Sequence, residues 1–220
     1  MSVSTRRGRR QQQKGRRPRP TLSHGRGRRG ANRLWIGLGI VGGLVVLFLA
    51  ARQLGVIETG TAGLDVRDPK YDPAGQPIGQ KLPDESSTHV PAGQKVGYGN
   101  IPPASGPHWG QPQAPAPWGI KDTKLPDEVT VHNLEHGGIV ISYNGLAAAE
   151  VDELVRITRA LTSGGFSKII LQPYPEMADA KVAVTAWVWQ LKLQGVDDVQ
   201  IVKFVRLHYE SPEAPEPRVR

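Results

Sequence analysis

The sequence predicts an α+β protein, in which one transmembrane helix is followed by a Pro/Gly-rich ordered loop region and by a small, mostly antiparallel sheet backed by two helices. Three observations lead to this prediction. Residues 34–51 form an uncharged apolar run, and residues 91–128 combine many prolines and glycines with aromatic side chains. From residue 129 onward, short apolar stretches alternate with helical patterns and turn signals, which is typical of a folded α+β layer.

The apolar run near the N-terminus reads LWIGLGIVGGLVVLFLAA, eighteen residues without a charge. This length suffices to cross the hydrocarbon core of a bilayer, so we assign residues 34–52 to a transmembrane helix. Residues 1–52 contain thirteen Arg or Lys and no Asp or Glu, and positively charged segments stay on the cytoplasmic side. We therefore expect a single-pass cell-membrane protein, with residues 1–33 as a disordered basic tail in the cytoplasm and the C-terminal domain outside it. A cleaved signal peptide is the alternative, but its charged region would be unusually long and no clear A-x-A site follows it.

Charge is distributed unevenly between the two parts of the chain. Residues 53–220 carry fifteen basic and twenty acidic residues, a net charge of −5, so the overall +8 comes from the N-terminal tail. We expect no nucleic-acid partner, because the positive charge that would favour one comes from the tail alone. The Arg-rich tail suits anionic lipid, although a role in membrane topology alone is the simpler interpretation, since Gly, Gln and Pro interrupt it. The chain has no cysteine, which excludes disulfides, thiol redox catalysis and cysteine-ligated zinc.

The part after the predicted membrane helix divides by composition. Residues 53–88 are rich in Gly, Pro and Asp and predict a stalk or a wrapped extended segment. Residues 89–211 predict an extracytoplasmic α+β domain, and residues 212–220, PEAPEPRVR, predict a disordered tail. Trp109 and Trp118 lie among prolines, which indicates an ordered loop packed on a core.

Regular structure is predicted from residue 129 onward. We expect strands at residues 129–131 and 139–143, on either side of the sequence HNLEH, then a helix at 147–162 and a strand at 168–172. Residues 180–193, AKVAVTAWVWQLKL, are apolar on both faces at first and predict one central strand. Asp197 caps a final helix, in which residues 201, 204, 205 and 208 follow the i, i+3, i+4, i+7 pattern.

The sequence VHNLEHGG carries two histidines, His132 and His136, four residues apart. In one helical turn two such side chains face the same way and can chelate one ion, whereas in a strand they lie about 13 Å apart. Gly137-Gly138 permits a positive φ directly after the second histidine. We expect a short turn between two strands, which folds the two imidazoles toward a common point.

Four of the five histidines after the predicted membrane helix fall within residues 89–136. His108 lies in the loop PPASGPHWG, which its prolines stiffen, and it can supply a third nitrogen to His132 and His136. Such a three-histidine site leaves an open coordination position, and zinc and copper both suit imidazole ligands. His89 and Glu135 are candidates for a fourth ligand or for a supporting group.

Three other interpretations stay open, and each involves residues already named. The histidines can instead hydrogen-bond the backbone of irregular loops. HNLEH also fits the H-x-x-E-H pattern of inverted zinc proteases, in which a long helix holds both histidines and Glu135 would be the general base of a metal-dependent hydrolase. The strands expected on both sides argue against that helix. Finally, Trp109 and Trp118 can grip a cell-envelope protein instead of their own core. We favour a binding protein over an enzyme and assign no catalytic residue.

The segments His89-Val90, PPASGPHWG, VHNLEHGGIVISYN and AVTAWVWQLKL, together with the N-terminal span and a closing helix, resemble the bacterial membrane-anchored family catalogued as domain of unknown function (DUF) 3105. The resemblance covers roughly residues 70–213. It implies a membrane-anchored bacterial domain outside the cytoplasm, with no established activity or catalytic residue. The family pattern features positions around the histidines, which implies a shared site there. These positions are Ser105, Gly106, Pro107, His108, His132, Asn133, Glu135, His136, Gly137 and Trp187.

We predict that the full chain sediments with membranes and stays in the membrane pellet after a carbonate wash. A variant that lacks residues 34–52 should appear in the soluble fraction, because these residues supply the apolar length that a bilayer requires. Protease added to spheroplasts should digest a C-terminal epitope and spare an N-terminal one. Release of the unchanged chain by carbonate, or protection of the C-terminal epitope, would contradict the expected anchor or its orientation.

Overall fold

The computed structural model describes residues 63–219, and a six-stranded sheet organises them. The strands are β1 (Gln80–Lys81), β2 (His89–Val90), β3 (His108–Trp109), β4 (Gly119–Ile120), β5 (Ile139–Tyr143), β6 (Ile169–Pro173), β7 (Val182–Ala186) and β8 (Trp189–Leu193). The helices are α1 (Asp127–Glu135), α2 (Ala148–Ser163) and α3 (Asp198–His208). The predicted α+β class is confirmed.

The strand order in the main sheet is β1-β8-β7-β5-β6-β4. Strands β1, β8, β7 and β5 pair antiparallel, whereas β6 runs parallel to both β5 and β4, so the sheet is mostly antiparallel as predicted. Parallel neighbours need a long connection, and α2 supplies it between β5 and β6. Strands β2 and β3 form a separate parallel pair.

Both faces of the sheet are buried, because its central strands are apolar on both sides. Ile139 and Ile141 of β5 face one core, which α2 and α3 cover, and Val140 faces a second core, to which α1 contributes Val131 and Leu134. Alternate residues of a strand point to opposite faces, so an unbroken apolar run requires cover on each side. The sheet therefore packs against three helices, and the prediction of two backing helices omitted α1.

Helix α1 occupies residues for which the sequence predicted a strand and a turn, and that prediction was wrong. Eight of its nine residues are buried, so it shows no amphipathic period, and its Val129-Thr130-Val131 run has the composition of a strand. Asp127 and Glu128 lie in its first turn, where negative charge is favourable. Burial on all sides, which is a tertiary property, overrides the local propensity.

The stretch predicted as one central strand is a hairpin of β7 and β8, joined at Trp187 and Val188. Val188 has φ +57°, which is unusual for a β-branched residue. Its N–H donates to the Ala104 carbonyl at 2.9 Å, and its carbonyl accepts from the Leu82 N–H at 2.8 Å. The turn lacks the Asn-Gly or Gly residues that usually signal a hairpin. These bonds from distant loops hold it instead. The other predicted strands and helices occur, including the Asp197 cap.

Segments on either side of the predicted domain also pack on it. Tyr71 and Leu82 are buried, and β1 extends the sheet, so this part of the predicted stalk is wrapped onto the domain. At the other end, residues 210–219, which we name the C-terminal segment, include the buried Ala214, whereas the sequence predicted disorder for 212–220. Backbone hydrogen bonds to α1 order this proline-rich segment, as described below.

Within residues 63–219, no helix combines the length and the apolar character that a membrane crossing demands. The transmembrane helix predicted at 34–52, the basic tail predicted at 1–33 and the first part of the predicted stalk lie outside the described residues.

His208, placed by the sequence on the apolar stripe of the last helix, is buried against Phe204 and Trp189. Its Nε2 lies 3.0 Å from the Ile78 carbonyl, which only accepts, so this nitrogen carries a proton. Burial lowers the pKa of His208 below its ordinary value of 6.5. His208 therefore binds a proton more readily in the unfolded chain than in the folded chain. The stability that neutral His208 contributes above about pH 6.5 is lost as the pH falls.

We predict that His208→Gln reduces the loss of stability between about pH 7 and pH 5, because glutamine can keep the bond to Ile78 but does not titrate. Chemical denaturation followed by tryptophan fluorescence at both pH values measures this difference. His24→Gln is the matched control, and it should retain the full pH dependence. An unchanged pH dependence in His208→Gln would show that this side chain does not contribute.

Candidate metal centre

Strands β2 and β3 and helix α1 bring four chemically active side chains together beside the second core. The parallel pairing of β2 with β3 sets His89 directly beside His108. Helix α1 packs against β3 and presents His132 and Glu135, three residues apart and hence on one helix face. We call His89, His108, His132 and Glu135 the histidine cluster.

The cluster is tight enough to hold one ion. Each member offers one ligand atom, and these four atoms all lie within 4.8 Å of one another. The imidazole centroids of His89, His108 and His132 are separated by 4.9 to 5.1 Å. His108 is fully buried, His132 and Glu135 are nearly so, and the His89 side chain is 51% exposed. One candidate ligand therefore faces solvent, and the other three are buried inside the protein.

Glu135 lies at the centre of the hydrogen-bonding pattern. Its Oε2 is 3.0 Å from His108 Nε2 and 3.2 Å from His89 Nε2. Burial raises the pKa of Glu135, but the hydrogen bonds and charges of His108 and His89 outweigh it, and the pKa lies below its ordinary value. The carboxylate is therefore an anion in the folded protein and attracts a cation to this point.

The Nδ1 atoms of two histidines are hydrogen-bonded to backbone carbonyl groups. His108 Nδ1 is 2.8 Å from the Gly106 carbonyl, and His132 Nδ1 is 2.6 Å from the Trp109 carbonyl. A carbonyl oxygen only accepts, so both Nδ1 atoms carry protons and both Nε2 atoms keep a lone pair when the ring is neutral. Burial lowers the pKa of His132, which favours its neutral form. Metal-binding histidines are commonly oriented in this way by a backbone carbonyl.

The loop that carries His108 is fixed by contacts at each preceding residue. Ser105 Oγ accepts the Glu85 N–H at 3.0 Å, and the Tyr98 hydroxyl donates to the Pro107 carbonyl at 2.7 Å. Gly106 has φ +126°, and a Cβ there would lie 2.8 Å from the Tyr98 ring, so only glycine fits. These contacts explain the sequence SGPH and fix the position of the imidazole.

The remaining residues of the HNLEH sequence connect α1 to its surroundings. Asn133 is fully buried, and its side-chain amide exchanges two hydrogen bonds with the backbone of Ala116, at 2.9 and 3.0 Å. Leu134 packs in the second core. Trp187, at the hairpin turn, places its indole edge-on to His108 with 6.3 Å between ring centroids. The hairpin therefore contacts the histidine cluster through Trp187, and a proline-rich loop holds α1 through Asn133.

His136 does not join the histidine cluster, although the sequence predicted it as a ligand beside His108 and His132. It caps the C-terminus of α1, and its Nε2 lies 3.4 Å from Glu216 Oε2. Burial lowers the pKa of His136 despite the opposing effect of Glu216. His89, which the sequence offered as a fourth ligand, lies with His108 and His132, where His136 was expected. Sequence reasoning missed Glu216, because the Pro-rich composition around it predicted disorder.

The two candidate recognition tryptophans make contacts within the domain. The Trp109 Nε1–H donates to the Gln94 carbonyl at 2.7 Å, and Trp118 packs over Gly138. Both are partly buried against the second core. These contacts are the ones expected of loop anchors, and binding of an envelope partner by these residues stays a prediction.

Helix α1 gives residues 132–135 a helical backbone, so the objection to the H-x-x-E-H pattern of zinc proteases that was based on flanking strands was wrong. The helix ends at Glu135, however, and His136 is its C-cap, so no long helix holds both histidines. The side chains also differ from those of the proteases. In the protease pattern both histidines bind one ion and the glutamate is the base, whereas here Glu135 belongs to the ligand group of His132, and His136 belongs to another. The arrangement is suited to holding a cation.

A family model described as a protein of unknown function (DUF3105) matches residues 89–220, more than half of the chain. The match begins at His89 and extends through the C-terminal segment. No curated protein and no solved structure matches the chain.

We predict that Gly138→Ala lowers the free energy of unfolding by roughly 1–3 kcal/mol, because a Cβ there would lie 2.5 Å from the Trp118 ring and 2.8 Å from the Asn133 carbonyl. Gly195→Ala is the matched control, since nothing lies within 4 Å of a Cβ at that position, and it should change stability by less than about 0.5 kcal/mol. Chemical denaturation measures both. Equal stabilities of the two variants would contradict the close packing of Trp118 on Gly138.

Proposed function

The chain belongs to the DUF3105 family, and we propose that its domain binds a divalent transition-metal ion through His89, His108, His132 and Glu135. The proposal concerns binding and retention of the ion, with no reaction assigned to it. The single observation that carries it is the convergence of three ring nitrogens on one buried carboxylate.

Proton accounting at His108 shows why a cation fits. Its Nδ1 faces a carbonyl and its Nε2 faces the Glu135 carboxylate, and both of these oxygens only accept. A neutral imidazole has one N–H, so it leaves one of the two contacts as an encounter of lone pairs. Either a second proton or a metal ion must lie between Nε2 and the carboxylate. One ion can bind His108 Nε2, His89 Nε2 and the Glu135 carboxylate together, without a second proton on the His108 ring.

The donor set indicates which ions suit the site. Three imidazoles and one carboxylate form a borderline set, which binds Zn²⁺ and Cu²⁺ well and contains none of the thiolates that select Cu⁺. Four protein ligands fill a tetrahedral zinc site, as in structural sites, whereas catalytic zinc keeps one position for water. Glu135 acts as a ligand in this arrangement and is therefore not a general base. These considerations favour binding over hydrolysis.

The location of this domain outside the cytoplasm, anchored by residues 34–52, remains part of the proposal. The uncharged run of eighteen residues and the basic residues before it support the location. The absence of cysteine is compatible with an oxidising compartment. Anionic lipid bound by the Arg-rich tail and an envelope protein partner are further proposals that rest on composition alone.

We predict that the metal-stripped full chain takes up Zn²⁺ on dialysis and that His132→Gln holds one ion fewer, because the substitution removes a ligand and retains much of the side-chain volume. Elemental analysis measures the content. Zn²⁺ at a hundred times its dissociation constant should also stabilise the unchanged chain by about 2.7 kcal/mol in thermal or chemical unfolding.

The matched control is His24→Gln, which alters a histidine outside the cluster and should bind as much Zn²⁺ as the unchanged chain. Equal metal contents in His132→Gln and the unchanged chain would overturn the assignment, and so would an unchanged chain that binds no Zn²⁺.

A further inference from the structure

We propose that a second metal ion binds beside the first, between Glu135, His136 and Glu216, with the Glu135 carboxylate shared by both ions. This inference rests on the proposed function, because it takes the first ion to lie in the histidine cluster. It assigns a role to His136 and to the C-terminal segment, neither of which the first site uses.

The three side chains form a compact group of their own. One ligand atom from each of Glu135, His136 and Glu216 lies within 4.8 Å of the other two. His136 Nε2 is 3.4 Å from Glu216 Oε2, and the His136 side chain is buried. Two carboxylates and one imidazole are ligands that zinc and other divalent transition metals accept.

Glu216 is positioned by its backbone. Its N–H donates to the Glu135 carbonyl at 3.0 Å, so the two carboxylate-bearing residues are joined through the main chain. One residue further on, the Pro217 carbonyl accepts from Lys168 Nζ at 2.8 Å, and Lys168 also donates to the His136 carbonyl at 3.0 Å. Lys168 is buried and pairs with Glu210 at 2.9 Å. The C-terminal segment is therefore tied to the end of α1 on both sides of Glu216.

Gly137 allows this segment to approach. It has φ +72°, and a Cβ there would lie 2.9 Å from the Glu210 Cα and 3.0 Å from the Pro217 Cα. Both neighbours are backbone atoms, so a side chain could not be accommodated by a small rotation. The glycine after HNLEH thus has a second purpose beyond ending the helix, because it admits the residues that deliver Glu216.

The geometry of the shared carboxylate fits a pair of ions. A carboxylate has two oxygens, and two-metal sites hold their ions about 3.5–4 Å apart. His132 and His136, which belong to different groups, have ring centroids 4.8 Å apart. Both lie at the C-terminal end of α1, where the helix dipole favours positive charge.

Each group also has one member that reaches solvent. The His89 side chain is 51% exposed and the Glu216 side chain is 49% exposed, whereas Glu135, between them, is only 5% exposed. An ion can therefore enter each position from its own side, and the shared carboxylate lies at the buried meeting point.

Zn²⁺ content of single variants of the full chain tests the inference. We expect two ions in the unchanged chain, one in Glu216→Gln, one in His132→Gln and none in Glu135→Gln, because only Glu135 serves both positions. Glu216→Gln changes a half-exposed side chain and keeps the backbone bond to Glu135, so it should fold. Glu213→Gln is the matched control in the same segment, outside both groups, and should keep both ions.

Loading with Cu²⁺ gives a second readout. Two Cu²⁺ ions about 4 Å apart couple magnetically, so the unchanged chain should show a weakened signal for isolated Cu²⁺ in electron paramagnetic resonance. Glu216→Gln should restore a full signal for one ion.

The outcomes distinguish the two proposals. One ion in both the unchanged chain and Glu216→Gln, lost in His132→Gln, overturns the second position and leaves the first intact. Two ions in Glu216→Gln place the second ion elsewhere and also overturn the inference. No ion in the unchanged chain overturns both proposals.

Discussion

The buried carboxylate of Glu135 is the constraint around which the described part of the molecule is arranged. An anion inside a protein requires compensation, because transfer from water costs several kcal/mol unless partners are supplied. Here the partners come from two separate strands, namely His89 on β2 and His108 on β3. Each of them must be held at hydrogen-bonding distance, and the irregular loops around α1 serve that purpose.

The sheet provides the rigid base on which α1 rests. Its central strands are apolar on both faces, so one face binds α2 and α3 and the other binds α1. Helix α1 is then enclosed by the sheet, the proline-rich loops and the C-terminal segment, and it is buried on nearly every side. A polar residue in such a helix needs a partner, and the side chains of His132, Asn133 and Glu135 all have one. The many prolines before α1 lower the entropy that is lost in holding these loops in place.

A site built in this way is suited to retaining ions. The imidazoles of His108 and His132 are held in place by backbone carbonyls, and such preorganisation lowers the cost of binding an ion. The hydrolase pattern and the proposed site share the spacing H-x-x-E-H in sequence. In the hydrolase the glutamate is the general base, whereas in the proposed site Glu135 is a metal ligand. The sequence of the motif is compatible with both, and the decisive difference is the direction in which His136 points.

The sequence by itself determined the α+β class, the strands β5 and β6, and the helices α2 and α3, because these follow from local periodicity, caps and composition. Composition likewise predicted that histidines gather near HNLEH. Sequence reasoning failed at α1, at the β7–β8 turn and at Glu216. In each case the decisive interaction came from residues distant in the chain: burial on all sides for α1, the loop bonds of Val188 for the turn, and the lysine and glycine contacts that order the C-terminal segment. Only the tertiary structure decided that His89 joins His108 and His132 while His136 turns toward Glu216. The pairing of β2 with β3 and the path of residues 210–219 leave no local signature in the sequence.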